Sequence, residues 1–183
     1  MKKLKSIKVI PLEYIQSILK IDSSSPSGLT WLPRKDKRFL FNNNHAGHKK
    51  TNAKSGYQTW IAGIMYIGKE YKLRCSRIVF LLHHGYLTKG KCIDHEDNNS
   101  LNNKIENLRE CTISQNGQNA KLRKNNTSGH KCVHWHKASG KWQVTIRANG
   151  KSYNFGLYVN LEDAIKVAIE ARKKLHGKFG RDE

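Results

Sequence analysis

Acidic residues are scarce in this sequence: 14 Asp plus Glu stand against 34 Lys plus Arg, leaving a net charge of +20 over 183 residues. A surface so positive attracts polyanions, and such association weakens as salt rises. Charge alone leaves a basic RNA-binding protein of ribosomal type open beside a DNA-binding one. Cysteine is sparse as well. Cys75, Cys92, Cys111 and Cys132 are widely spaced with no Cys-x-x-Cys. Neither a zinc ribbon nor a disulfide framework is signalled, and a reducing cytoplasm is the simplest home. Long apolar runs are missing too. The N-terminus begins basic and is interrupted by Lys8, Pro11 and Glu13, so no secretory signal and no membrane span is expected. The length suits one large domain or two small ones.

What is abundant is the side-chain amide. Residues 91–119 set an adjacent carboxylate and imidazole, Asp94 and His95, among Asn98, Asn99, Asn102, Asn103, Asn107, Asn116 and Asn119. Asp94 is a hard oxygen ligand suited to Mg, which takes one or two protein oxygens and completes its shell with water and phosphate. On an extended strand Asp94 and His95 point to opposite faces. They can serve one phosphate only if the strand stops and the loop curls back. Asp97, Asn98, Asn99 and Ser100 are the turn formers that would stop it. Residues 105–111 read as a second extended segment, after which Thr112 and Gln115 form a capping-box pattern that opens a helix with Asn116 in its first turn. A neutral imidazole can take a proton from water when its other nitrogen is bonded to an acceptor. An isolated Asp-His pair would be read as an ordinary hydrogen-bonded loop; a string this long and ordered is a more specific signal.

That string, Ile93-Asp94-His95, the Asn-rich loop to Asn103, Ile105-Glu106-Asn107-Leu108-Arg109 and Gln115-Asn116 followed by Asn119, resembles the HNH homing endonucleases with the ββα-metal nuclease fold. The resemblance implies a single divalent metal on Asp94 and Asn116, Mg with Mn able to substitute. It also implies His95 as general base and Asn107 orienting the imidazole. The reaction would be hydrolysis of a phosphodiester in double-stranded DNA, leaving a 5′-phosphate and a 3′-hydroxyl. No obligatory protein partner is implied, and the setting would be cytoplasmic, in a bacterial host cell if phage-encoded. One departure is Asn98 where relatives usually have Gly, and Asn tolerates the same left-handed turn. Another is Ser76-Arg77-Ile78-Val79 where a His-Arg-Leu-Val pattern commonly occurs.

Upstream, residues 11–19 read as a short helix with Pro11 near its first turn. Strands are expected at 29–32 and 39–41, followed by a polar basic loop at 42–55. His45 and His48 in that loop lack further ligands at matching spacing, so a solvated or phosphate-contacting loop is the reading. Strands at 57–67 and 71–75 flank a turn at 68–70. Residues 77–84 read as a buried helix ended by Gly85, with His83 and His84 at its end, where either could touch DNA. Residues 121–127 read as a basic helix tail and linker.

From Ser128 the periodicity becomes two. Lys131, His134 and His136 are assigned one face of a first strand, with Val133 and Trp135 on the other. Trp142, Val144 and Ile146 then alternate with Gln143, Thr145 and Arg147. Asn149-Gly150 is a strong hairpin signal, and Tyr153 and Phe155 alternate with Ser152 and Asn154. Asn160 is expected to cap a helix whose stripe is Leu161, Ala164, Ile165, Ala168 and Leu175, with Arg172, Lys173 and Lys174 complementing its C-terminal dipole.

Asn126-Thr127-Ser128-Gly129, Val133-x-Trp135, Ser139-Gly140-Lys141-Trp142, Phe155-Gly156-Leu157 and Leu175-His176-Gly177 make this unit resemble the APETALA-type (ethylene-response-factor) DNA-binding domain. The resemblance implies that the exposed sheet face enters the major groove, presenting Lys131, His134, His136, Lys141, Gln143, Thr145, Arg147, Ser152 and Asn154. Cys132 stands where the family has Gly, and the arginines of plant members are largely His, Gln and Asn here.

The expected fold is therefore α+β. Residues 1–124 would form an HNH nuclease domain with a strand-rich N-terminal extension, and residues 125–183 an APETALA-type DNA-binding domain. Two alternatives remain. A DNA-binding regulator with a dead nuclease motif would not nick a plasmid, and an RNA-binding protein would prefer structured RNA to duplex DNA at matched salt. A nuclease with little sequence preference is a third.

Overall fold

The computed structural model describes residues 9–33, 45–122 and 125–180. The strand expected at 39–41 lies outside them. The architecture is α+β, with small antiparallel sheets and four helices among the described residues. The chain divides into two compact units, residues 1–110 and 111–183. Among the described residues no helix is long and apolar enough to cross a membrane, and all four cysteines are free thiols.

In the first unit, α1 (Leu12–Ile18) starts behind Pro11 and ends where Leu19 turns extended. That residue opens β1 (Leu19–Ile21), which pairs antiparallel with β2 (Leu29–Trp31). Strands β3 (His48–Thr51), β4 (Gln58–Tyr66) and β5 (Lys69–Arg74) form a sheet in that order. Alternation along β4 and β5 puts Trp60, Ala62, Ile64, Tyr71 and Leu73 in the core with Ile15, Leu19 and Leu29. Helix α2 (Cys75–His84) adds Ile78, Val79, Phe80 and Leu81 and ends at Gly85 in the left-handed conformation. Each such aliphatic or aromatic side chain contributes about 1.5 to 3 kcal/mol on burial. Cys75 at the β5–α2 junction is wholly buried, and that burial pushes its thiol up to about 12.

Three sequence expectations change here. The basic stretch at 42–55 is not all loop, because His48–Thr51 pairs with β4 as an exposed edge strand. The β4–β5 turn is not 68–70. Tyr66 pairs with Lys69, leaving a two-residue turn of Ile67 and Gly68, both at positive φ (46° and 66°). Hairpins of that length favour such backbone because its twist matches the strands. Residues 105–111 are not one extended segment: Ile105–Asn107 is a single 3₁₀ turn, and only then does β7 (Leu108–Cys111) begin and pair with β6 (Cys92–His95).

The second unit opens on α3 (Ile113–Asn119) and continues into β8 (Val133–His136), β9 (Lys141–Ala148) and β10 (Lys151–Tyr158), an antiparallel meander ordered β10-β9-β8. Asn149 and Gly150, at φ 51° and 77°, make the expected hairpin turn. Helix α4 (Leu161–His176) lies on one sheet face, burying Ala164 and Ala168 against Val133 and Val144. Lys131 falls in a turn before the first strand rather than on it. Phe155 packs toward the helix with Tyr158, as its alternation with Asn154 predicts, and a bulge between Asn154 and Gly156 follows in β10. Asn160 occupies the N-cap position without a side-chain hydrogen bond. Arg172 is not a surface partner of the helix dipole: it is buried, its Nη1 donating to the Lys131 carbonyl at 3.4 Å.

Burial lowers the His176 pKa, opposed by a hydrogen bond to the Arg147 carbonyl and reinforced by Arg172 and Lys131. A base depressed in the folded state leaves stability intact above its unfolded value of 6.5 and loses it as pH falls through the lower folded value. Amide protection in β9 and α4, corrected for the intrinsic pH dependence of exchange, should therefore fall as pH drops below 6.5, and His176→Gln should flatten the dependence. In the first unit, Ile67→Asn should raise stability by about 1 kcal/mol, read by urea denaturation, because Asn adopts the left-handed backbone more readily than a β-branched residue.

Candidate nuclease site and sheet surface

The β6 strand delivers Asp94 and His95 to a buried position, and both are nearly inaccessible to solvent, at 4 % and 8 % exposed. The strand stops where Asn98 takes φ 58°, the left-handed turn expected of it. Asp97 then organises the loop. Its carboxylate accepts from Asn99 N at 2.7 Å, Asn102 Nδ2 at 2.7 Å and Asn107 Nδ2 at 2.9 Å. Partial burial pushes the Asp97 carboxyl up, but these hydrogen bonds, with His95 nearby, outweigh burial and hold it below its ordinary value. Ser100 Oγ fastens the loop tip to the Gln58 carbonyl at 2.5 Å.

The imidazole meets Asn103 rather than the predicted Asn107. Asn107 Oδ1 accepts from Asp97 N at 3.0 Å, and its Nδ2 donates to both Asp97 Oδ1 and the Asn102 carbonyl. That residue braces the loop. Asn103 Nδ2 donates to the Ser27 carbonyl at 2.8 Å, while Asn103 Oδ1 lies 3.0 Å from His95 Nε2. A backbone carbonyl can only accept, so the amide nitrogen must face Ser27 and the amide oxygen His95. The His95 proton therefore sits on Nε2, and in the neutral ring Nδ1 is the basic nitrogen. Gly28, at φ 78°, is required for this contact: a Cβ there would stand 3.1 Å from Asn103 Cβ and 3.2 Å from its carbonyl oxygen.

Asp94 has an ionic partner that the sequence reading did not assign. Glu96 N donates to the Asn107 carbonyl, and counting outward along the antiparallel pair puts Arg109 across from Asp94. Arg109 Nε donates to Asp94 Oδ2 at 3.0 Å, and its Nη1 is 3.3 Å from Glu96 Oε1. The spacing from Asp94 to Arg109 across a hairpin is a readable signal once the turn is placed. Asn103 could not be found this way, because its partner Ser27 is 76 residues distant.

Asn116 belongs to the second unit, exposed in α3 with its N–H donating to the Thr112 carbonyl. The predicted capping box is complete: Thr112 Oγ1 accepts from Gln115 N at 3.1 Å, and Gln115 Oε1 accepts from Thr112 N at 2.8 Å. Among the described residues no group of three or more His, Cys, Asp or Glu gathers as a metal site.

In the second unit the pairs His134–Gln143 and His136–Lys141 share a sheet face with Thr145–Asn154 and Arg147–Ser152. Val133, Val144 and Ile146 take the other face. Eight of the nine residues predicted to touch DNA thus lie on one polar face, with Lys131 in the preceding turn. Gln143 Oε1 accepts from His134 Nε2 at 3.0 Å, and His136 Nδ1 lies 2.8 Å from Ser139 Oγ.

Comparison with known proteins bears on this geometry. Residues 74–118 match the family model described as HNH endonuclease, a segment that contains Asp94, His95, Asn103, Asn107, Arg109 and Asn116. The chain is 39% identical over 98 residues to Protein 3.8 of Escherichia phage T7, an alignment covering 54% of this chain and 80% of that protein. No solved structure matches.

Asn103→Ala would remove both links, leaving the buried Ser27 carbonyl and the His95 ring without this partner. Urea denaturation should show a loss of about 2 kcal/mol.

Proposed function

Since the chain belongs to the family of Protein 3.8 of Escherichia phage T7 and carries an HNH endonuclease domain at residues 74–118, we propose that it is a metal-dependent, homing-type endonuclease that hydrolyses phosphodiester bonds at a recognised site in duplex DNA. The observation that carries the reading is His95, buried at the end of β6 inside the matched segment, with its Nε2–H donated to Asn103 Oδ1, which makes Nδ1 the basic nitrogen of the neutral ring.

In this reading His95 Nδ1 accepts the proton of the attacking water as general base. Asn103 fixes the ring and its tautomer, and Asn107 fixes the loop that carries the ring. Asp94 and Asn116 would hold one divalent ion, Mg or Mn, whose chemistry when bound is to neutralise charge on the leaving and nonbridging phosphate oxygens. Arg109 balances the buried Asp94 charge and keeps one of its oxygens pointed along the hairpin.

The polar sheet face of the second unit selects the site in this reading, in the manner of an APETALA-type domain. His134, His136, Lys141, Gln143, Thr145, Arg147, Ser152 and Asn154, with Lys131 before them, are matched to acceptors on guanine and to the donor-acceptor pair on adenine. Phosphate contacts by the surrounding cations would set register while these side chains read sequence.

Supercoiled plasmid incubated with Mg should be nicked or linearised by the wild type and left intact on chelation of the metal. His95→Ala should reduce cutting by a factor of about 10³ or more with DNA binding within threefold of wild type. Uncut plasmid under every metal condition, together with tight duplex binding, would point instead to a DNA-binding regulator.

A further inference from the structure

The first unit carries a second surface suited to DNA. In the β3–β4–β5 register His48, Ile61 and Arg74 lie abreast, as do Lys50 and Thr59, Gly63 and Lys72, and Met65 and Glu70. These residues share the face turned away from Trp60, Ile64, Tyr71 and Leu73, and on it Ile61 and Thr59 are themselves buried. His48, Lys50, Lys72 and Arg74 are all exposed on it. Its one carboxylate, Glu70, is folded back over Gly63, where a Cβ would stand 2.7 Å from Glu70 Oε1, and is paired with Lys72 at 3.6 Å.

At the end of this face the β4–β5 turn holds Ile67, 84 % exposed and at φ 46°, beside Met65 at 51 %. A β-branched residue at positive φ is a genuine outlier. Asn or Gly would suit the turn better, and the side chain buries nothing in the fold. Stability therefore accounts neither for the strain nor for the exposed apolar tip. Apolar side chains offered at the end of a cationic ribbon are what proteins insert between base steps when they kink a duplex.

We propose that this hairpin is a second contact with duplex DNA, distinct from the sheet of the second unit, in which His48, Lys50, Lys72 and Arg74 follow the phosphates and Ile67 enters an unstacked base step. The proposal rests on the reading of the chain as acting on duplex DNA, and adds to it that the DNA is deformed. Unstacking a step has a cost that a mismatch already removes, so a wedge prefers mismatched DNA.

The experiment uses the full chain without divalent metal, so that no cutting occurs, and random-sequence duplex DNA either fully paired or carrying a central mismatched step. Wild type should bind the mismatched duplex about tenfold more tightly and bring its labelled ends closer by energy transfer. Ile67→Asn, and Ile67→Gly as a second variant, should lose both the preference and the bend. Lys50→Gln combined with Lys72→Gln should lower the slope of log affinity against log salt by about 2. Retention of the mismatch preference and bend by both Ile67 variants would overturn the inference while leaving the nuclease reading intact. Failure of the wild type to bind any duplex, or binding of structured RNA alone, would overturn both.

Discussion

The Asn103 side chain joins two parts of the first unit that are far apart in sequence, and the geometry of the nuclease loop depends on that link. One end of its amide donates to Ser27 and the other accepts from His95. Both partners are buried, so each bond replaces water that cannot reach them, and losing either leaves a polar group stranded. The link also explains why a helix and a two-strand ribbon precede the nuclease segment. They place a backbone carbonyl, with Gly28 beside it, where the imidazole can be oriented from behind. The His95 ring is therefore held from outside the matched HNH segment as well as from within it.

The parts of the structure legible in the sequence are those governed by local rules. The capping box at Thr112 and Gln115, the left-handed Asn98, the Asn149-Gly150 turn and the end of α2 at Gly85 each follow from a few neighbouring residues. Departures arose where a distant partner decided the outcome. Asn103 took the place assigned to Asn107 because Ser27 holds it, which no periodicity reveals. Position near the helix end assigns Arg172 to the C-terminal dipole with Lys173 and Lys174, but it lies one turn after Ala168 on the buried stripe. The shift of the β4–β5 turn onto Ile67 was illegible for a different reason: propensity argues against a β-branched residue at that position, and cross-strand register overrides it.

Charge organisation follows a common rule in both units. Each has a three-stranded antiparallel sheet with one apolar face packed inward and one face rich in cations or imidazoles. Among the described residues several acids are engaged locally, Asp94 with Arg109 and Glu70 with Lys72 in the first unit, while Glu162 and Asp163 in the second sit in the first turn of α4, where the helix dipole favours negative charge.

The burial of Cys75 gives the first unit an internal chronometer. With its thiol raised to about 12 by burial, the reactive thiolate is scarce at neutral pH, and no solvent reaches the sulfur in the closed form. An alkylating reagent can modify this sulfur only when the β5–α2 junction parts, so the labelling rate measures how often the core beneath the nuclease hairpin opens.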